Sequence, residues 1–165
     1  MANQTVTFNK DDLLAFMDEH NACYQSYDFV YSCKDIEECL EKAKPHYIVW
    51  VLSRNSQLSK HLNNNHWNKL DGWNWVKLLI KQPQFAKYCD WNKLYGCNWA
   101  TLLIEHPQFA KYCDWSKLDG WDWVKLLREQ PQFTKYCDWN KLDDNDRDYL
   151  FVINPYLKEY CCSKL

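Results

Sequence analysis

The chain has 165 residues, a formal net charge of −2 and an aromatic share of 17%. Its length suits one compact domain, or a small module followed by a short repeat array. The nearly balanced charge leaves no basic excess to neutralise phosphates, so we expect no direct binding of nucleic acid. Ten Trp and eleven Tyr exceed what a core requires, which predicts that some rings contact a partner.

The sequence predicts a cytoplasmic protein. Its opening letters, MANQTVTFNK, contain no apolar core of a signal peptide, and no apolar run approaches the roughly 18 residues of a membrane span. In a reducing compartment, the nine cysteines are expected to be free thiols that pack as small apolar groups.

Residues 1–66 are predicted to form a helical module that ends in a polar link. Leu13, Leu14 and Met17 recur at helical spacing, which places them on the inner face of a first helix. The segment DIEECLEKAKP begins a second helix with a pattern typical of a capping box. The run HYIVWVLSR is continuously apolar, so its pattern fits either a buried helix or a buried strand.

Residues 67–165 contain a tandem repeat with a period of 24. Such self-similarity is the signature of a solenoid, in which each copy packs on its neighbours. We divide the array into copies at 67–90, 91–114 and 115–138, with a capping copy at 139–165. The period is read from Pro83, Pro107, Pro131 and Pro155, and from Cys89, Cys113, Cys137 and Cys161.

Each copy is predicted to be helical. Asp71 is placed to cap an α-helix that ends near Lys81, because the residue before a proline avoids the α region. Pro83 suits the first turn of a second, shorter helix, and Asp90 suits the cap of a brief 3₁₀ turn. The fold class is therefore all-α, although FAKYCDWNKL also has enough alternation to form a short strand in a horseshoe.

The order of α-helix, Gln-Pro and aromatic residues, at this period, resembles the leucine-rich repeat variant class. That class alternates an α-helix with a 3₁₀ helix, so the resemblance implies a helical stack. This chain carries Trp and Tyr where the class is aliphatic.

A comparison of the copies separates constant from variable positions. Constant positions are expected to touch the neighbouring copy and form the core. In the first copy they are Trp67, Leu70, Gly72, Trp75, Leu78, Leu79, Pro83, Phe85, Tyr88 and Cys89. Variable positions are expected to face solvent. They are Asp71/Tyr95/Asp119, Trp73/Cys97/Trp121 and Ile80/Ile104/Arg128.

We predict a partner-binding surface at Trp73, Tyr95, Trp121 and Asp122. Exposed Trp and Tyr are typical anchors of protein interfaces. The alternative is that each ring packs on an adjacent loop.

The front module has a resemblance of its own. The order NACYQSYDFV, DIEECLEKAKP and HYIVWVLSR resembles a short module at the front of uncharacterised phage and bacterial mobile-element proteins. Ala22, Cys23 and Trp50 stand at matching places, whereas Tyr47 replaces the usual first Trp. The resemblance implies no catalytic residues. It implies a phage setting, in which small proteins such as anti-CRISPR proteins dock on host enzymes.

The motifs of common enzyme classes are missing, so we expect no enzyme and no cofactor. The three glycines are spread one to a copy, whereas a phosphate loop needs several together. Cysteines one copy apart would lie about 10 Å from each other, too far to share a zinc ion that needs sulfur at about 2.3 Å. Cys161 and Cys162 could still hold a metal with a histidine.

We therefore predict a protein-binding module of phage or mobile-element origin that sterically inhibits a bacterial host enzyme such as a CRISPR effector. The alternatives are a self-associating scaffold and a metalloprotein that uses the terminal cysteines.

Overall fold

The computed structural model describes residues 8–162, with the side chain of Cys162 left out. All regular elements in this range are helices, which confirms the all-α prediction and shows that the strand alternative was wrong. The chain divides into two compact units, Met1–Leu70 and Asp71–Leu165.

The first unit contains five α-helices and one 3₁₀ helix within its described residues. They are α1 (Lys10–Glu19), α2 (Tyr24–Ser32), α3 (Ile36–Lys42), α4 (Pro45–Leu52), the 3₁₀ helix Ser56–His61, and α5 (Asn64–Asn68). The apolar run HYIVWVLSR is helical, and Pro45 occupies the first position of α4, where its missing N–H costs no hydrogen bond.

One core cluster of the first unit is built from α1, α2 and α3, and α4 adds the buried Ile48, Val49 and Leu52. Leu13 and Met17 are buried as predicted, and Leu14 packs against the core while partly exposed. The predicted capping box at the start of α3 is only half formed. Asp35 accepts a hydrogen bond from the backbone N–H of Glu38 at 2.9 Å, but the Glu38 carboxylate accepts from the N–H of Lys34 instead.

The second unit repeats an α-helix followed by two 3₁₀ helices. Its α-helices are α6 (Gly72–Lys81), α7 (Gly96–Glu105), α8 (Gly120–Glu129), α9 (Asp144–Ile153) and α10 (Tyr156–Cys162). Its 3₁₀ helices are Pro83–Tyr88, Trp91–Lys93, Pro107–Tyr112, Trp115–Lys117, Pro131–Tyr136 and Trp139–Lys141. The predicted end of the first helix and the predicted start at Pro83 are confirmed. The last copy differs, because α10 replaces the longer 3₁₀ helix.

The constant positions form a seam of buried side chains through the array. Trp75, Trp99 and Trp123 have no exposed surface, and neither do the two consecutive leucines that follow each of them in its helix. Two constant residues do not fit the predicted core, because Pro83 and Tyr88 are exposed. Pro83 recurs for a backbone reason, since its fixed φ suits a helix start.

The glycine at each helix start allows the next copy to approach closely. A Cβ added to Gly96 would overlap the Asp122 carboxylate and the carbonyl oxygen of Lys117. One added to Gly120 would lie 2.5 Å from the carbonyl oxygen of Lys141. Any larger residue would therefore push adjacent copies apart.

Lysine side chains also link one copy to the next. The Lys117 ammonium donates hydrogen bonds to the carbonyl oxygens of Asn92 and Leu94, each at 3.0 Å. Lys141 makes the equivalent two bonds one copy later, at 2.7 and 2.8 Å. Farther along the copy, the Gln130 amide donates to the carbonyl oxygen of Ile104 at 2.7 Å. Each link satisfies carbonyl groups that the local structure leaves unpaired.

Candidate partner-binding surface

Three of the four predicted site residues are exposed aromatic rings at helix starts. Trp73 and Trp121 are the second residues of α6 and α8, and Tyr95 directly precedes α7. Their exposed fractions are 47%, 79% and 72%, respectively. We call these three residues the aromatic row.

Helix geometry explains why the aromatic row faces solvent. Trp121 and Trp123 are two residues apart, and successive residues of an α-helix turn by about 100°. Their side chains therefore leave α8 in nearly opposite directions. Trp123 enters the seam and is completely buried, so Trp121 must point outward.

The predicted exposure of Asp122 was wrong. Asp122 is buried against the start of the preceding copy, where Gly96 leaves room for its carboxylate. One carboxylate oxygen accepts a hydrogen bond from the backbone N–H of Asp119 at 3.2 Å, and Asp119 caps the helix in return. Burial raises the pKa of Asp122. Its role is therefore to close the capping box of α8 rather than to meet a partner.

The other variable positions divide in exposure. Asp71, Asp119, Cys97 and Arg128 are exposed as predicted. Ile80 and Ile104 are only half exposed. An aliphatic side chain at that position is partly covered, whereas the longer Arg128 side chain extends into solvent.

Stacked aromatic rings run from the seam to the surface of the array. In the second copy, Trp91 stacks on the buried Trp99 at 5.3 Å and on Tyr112 at 4.6 Å between ring centroids. The ammonium of Lys111 lies over the Tyr112 ring at 4.9 Å. Trp123, Trp115, Tyr136 and Lys135 repeat this arrangement in the third copy.

The outer ends of these columns form a second exposed aromatic surface that sequence reasoning missed. Tyr88, Tyr112 and Tyr136, which we call the tyrosine row, are each about two-fifths exposed. Their constancy suggested burial, but in the second and third copies the tyrosine stacks on a Trp through one ring face. A Lys directly before each Tyr was the available signal, because an ammonium is rarely placed beside a fully buried ring.

The lysines that directly precede the tyrosine row do not pair with aspartates. Among residues 8–162, neither Lys111 nor Lys135 lies within 4.0 Å of a carboxylate. The aspartates are used as caps instead. Asp114, for example, accepts a hydrogen bond from the backbone N–H of Ser116 at 3.2 Å.

Positively and negatively charged side chains occupy different parts of each copy. The helix ends and longer 3₁₀ helices carry seven cations and two carboxylates, whereas the links and helix starts carry nine carboxylates and four cations. The first set covers residues 77–88, 101–112 and 125–136, and the second covers residues 89–100, 113–124 and 137–148. This arrangement complements the helix dipoles. It also gives the aromatic row acidic neighbours and the tyrosine row basic ones.

The cysteines differ in burial and in the direction in which their pKa is shifted. Burial raises the pKa of Cys89, Cys113 and Cys137 to about 12, so these thiols stay protonated at neutral pH. Cys23 is exposed, and its hydrogen bond with Ser26 lowers its pKa. The eight cysteines with described side chains are free thiols.

The described residues contain no group of three metal-ligating side chains. Of the two terminal cysteines proposed as ligands, Cys161 is buried. The side chain of Cys162 lies outside the described residues.

The first unit contains an apolar cavity of about 60 Å³. Its walls include Leu13, Val30, Ile36, Cys39 and Ile48. Ligand pockets usually combine an apolar lining with a few polar groups that fix orientation. The polar surface of this cavity is very small, so its geometry is that of a packing gap between helices.

No protein family, curated protein or solved structure matches the chain. Among residues 8–162, no helix combines the length and the apolar character needed to cross a membrane.

Proposed function

We propose that this chain is a protein-binding module whose aromatic row docks on a bacterial protein and blocks its working surface. One observation carries the proposal. The array completely buries the constant Trp75, Trp99 and Trp123, yet it exposes large rings at positions that vary between copies. Exposed aromatic residues on a rigid scaffold cost little conformational entropy on binding, and Trp and Tyr dominate interface hot spots.

The phage-like front module suggests the class of target. A small cytoplasmic phage protein without catalytic machinery can act on a host only by binding it. A CRISPR effector is the most specific version of this proposal, with the chain acting as a steric inhibitor rather than an enzyme. The acidic neighbours of the aromatic row, Asp71 and Asp119, would favour approach to a basic protein surface.

The test is binding and inhibition with matched variants. The tagged chain is used to capture proteins from lysates of bacteria that carry CRISPR systems, and each captured protein is purified for titration. Trp73→Ala with Trp121→Ala should weaken binding by about 100-fold or more, since two anchors are lost. Inhibition of the target should saturate at a fixed stoichiometry, as blocking requires.

The matched control is Tyr24→Ala with Tyr31→Ala, which removes two exposed rings from the first unit. This variant should bind like the unmodified chain. Equal affinity of both double variants would show that the aromatic row is not the docking surface. Sub-stoichiometric inhibition with turnover would overturn the steric mechanism.

A further inference from the structure

The fourth copy exposes a stripe of four apolar side chains. Val152 and Tyr156 are 81% and 82% exposed, and Tyr149 and Ile153 beside them are also exposed. We call these four residues the C-terminal stripe. Tyr149, Val152 and Ile153 share one face of α9 at spacings of three and four residues, and Tyr156 opens α10.

The earlier copies show that this stripe is specific to the fourth. The equivalent positions of the third copy are Lys125, Arg128, Glu129 and Gln132, all polar and all exposed. Because they stay exposed although another copy follows, none of these positions belongs to the buried seam. The first of them still contacts the preceding copy: the Lys125 ammonium donates a hydrogen bond to the Thr101 hydroxyl at 2.9 Å, and Tyr149 shares a hydrogen bond with Arg128. The change to Val, Ile and Tyr at the other three positions therefore does not serve stacking within the chain.

The size of the stripe approaches that of a specific interface. An aromatic side chain buries about 150–250 Å², so the two Tyr and two aliphatic residues present on the order of 500 Å² per copy. Two such stripes facing each other would bury about 1,000 Å², the lower end of specific protein interfaces. The largest apolar patch of a monomeric protein covers about 300–600 Å² and is often functional, and the stripe falls in that range.

We propose that the C-terminal stripe is a dimer contact between two copies of this chain. A two-fold contact requires a self-complementary surface, and the order Tyr, aliphatic, aliphatic, Tyr is symmetric about its centre. With the axis through that centre, the aliphatic pairs of the two copies face each other and each Tyr lies opposite a Tyr of the other copy. Asp148 and Lys158, both exposed and of opposite sign, stand beside the stripe in the sequence. The net charge of −2 adds little repulsion between copies.

The C-terminal stripe shares no residue with the aromatic row. An experiment that rules out the dimer contact therefore leaves the partner-binding proposal standing, and the reverse also holds. If both proposals hold, a dimer presents two aromatic rows and binds a target that has two sites more tightly than one copy does.

The experiment is sedimentation velocity of the full chain from about 1 µM to about 500 µM, a range that brackets the affinity expected of a small interface. The average mass should rise from 20.1 kDa toward twice that value. Val152→Glu should raise the dimer dissociation constant at least about 10-fold, because it places a carboxylate in the apolar contact. Val152 is mostly exposed, so circular dichroism of this variant should match that of the unmodified chain.

The matched control is Tyr24→Glu, which changes an exposed ring in the first unit and should leave dimerisation intact. If the chain stays monomeric throughout this range, the dimer proposal is wrong. This holds even if the stripe binds a helix of another protein. A dimer that survives both Val152→Glu and Tyr156→Glu, or one that Trp121→Ala abolishes, assigns the contact to another surface.

Discussion

The two units bury their cores by different means. In the second unit each of the first three copies contributes the same Trp and the same leucines to one seam. In the first unit the core consists of residues that occur once, such as Leu13, Phe16 and Val30, drawn from helices with no shared pattern. The repeat therefore offers an internal comparison, because the residues of the seam stay constant whereas several exposed positions vary. The first unit offers no such contrast.

Replacing one buried Trp is the strongest test of that difference. Trp123→Ala should lower the free energy of unfolding by about 3–5 kcal/mol, since it leaves a large cavity in the seam. Trp121→Ala, two residues away on the exposed side, should change it by no more than about 0.5 kcal/mol. Urea unfolding followed by far-UV circular dichroism measures both. Similar losses in the two variants would contradict the division into constant core and variable surface.

The glycines test how closely the copies approach. Gly96→Ala should destabilise the chain by about 1–3 kcal/mol, because the new methyl group collides with the next copy. The sign of this change in the free energy of unfolding is informative, because in a helix without such a collision Ala is favoured over Gly by about 1 kcal/mol. Adding Asp122→Ala should recover only part of the loss in urea unfolding, because the carbonyl group of Lys117 remains. A stabilised Gly96→Ala variant would mean that the copies are less tightly apposed.

The lysine links between copies should contribute less. Lys117→Met keeps the apolar stem but removes the two hydrogen bonds to the preceding copy, at a cost of about 1 kcal/mol. Lys111→Met is the matched control, because that ammonium lies over an exposed Tyr ring, and its loss should cost no more than about 0.5 kcal/mol. Thermal unfolding measures the loss of stability in both variants. A larger loss for Lys111→Met would mean that the contact between its ammonium and the Tyr ring stabilises the chain more than the hydrogen bonds of Lys117.

The smallest expected effect is a pH dependence that belongs to the first unit. His66 is buried, and its ring Nδ1 accepts a hydrogen bond from the backbone N–H of Asn63 at 3.0 Å. Burial, followed by the charge of Lys69, lowers the pKa of His66 below 6.5, against a smaller opposing effect of Glu41. The unfolded chain therefore takes up a proton first as the pH falls through 6.5, and the folded state loses stability below that point.

His66→Gln should remove this dependence. A Gln at that position still offers an acceptor for the helix cap but does not titrate. Urea unfolding of both proteins at about pH 7.5 and about pH 5 gives the comparison, since this range spans the usual titration of histidine. An unchanged pH dependence in the variant would place its origin elsewhere.

The sequence predicted the regular parts of the array well because their causes are local. Pro83 ends one helix and starts the next element. Asp71 caps α6 by accepting a hydrogen bond from the backbone N–H of Asn74, three residues along the chain, at 2.8 Å. Asp122 was misplaced because its burial depends on Gly96 in another copy. Tyr112 was misplaced because a residue can stay constant in order to stack while remaining exposed.

The candidate site was only partly accessible from sequence. Variation between copies located Trp73, Tyr95 and Trp121 on the surface. The sequence did not locate the C-terminal stripe, because the fourth copy is predicted only as a cap. Val152 and Tyr156 follow the aspartates at the start of α9, and only the folded helices show them in solvent. Nothing in the residues specifies a partner, since affinity depends on a second surface.

The indole columns also give the array an optical signature. Trp91 lies nearly parallel to Trp99, with 17° between the ring planes, and Trp115 lies at 15° to Trp123. Chromophores held this close couple their transitions, so the near-ultraviolet dichroism should carry a split signal that vanishes when a column separates. Most of the ten tryptophans lie after residue 70. Their fluorescence therefore reports melting of the repeats far more than melting of the helices before them.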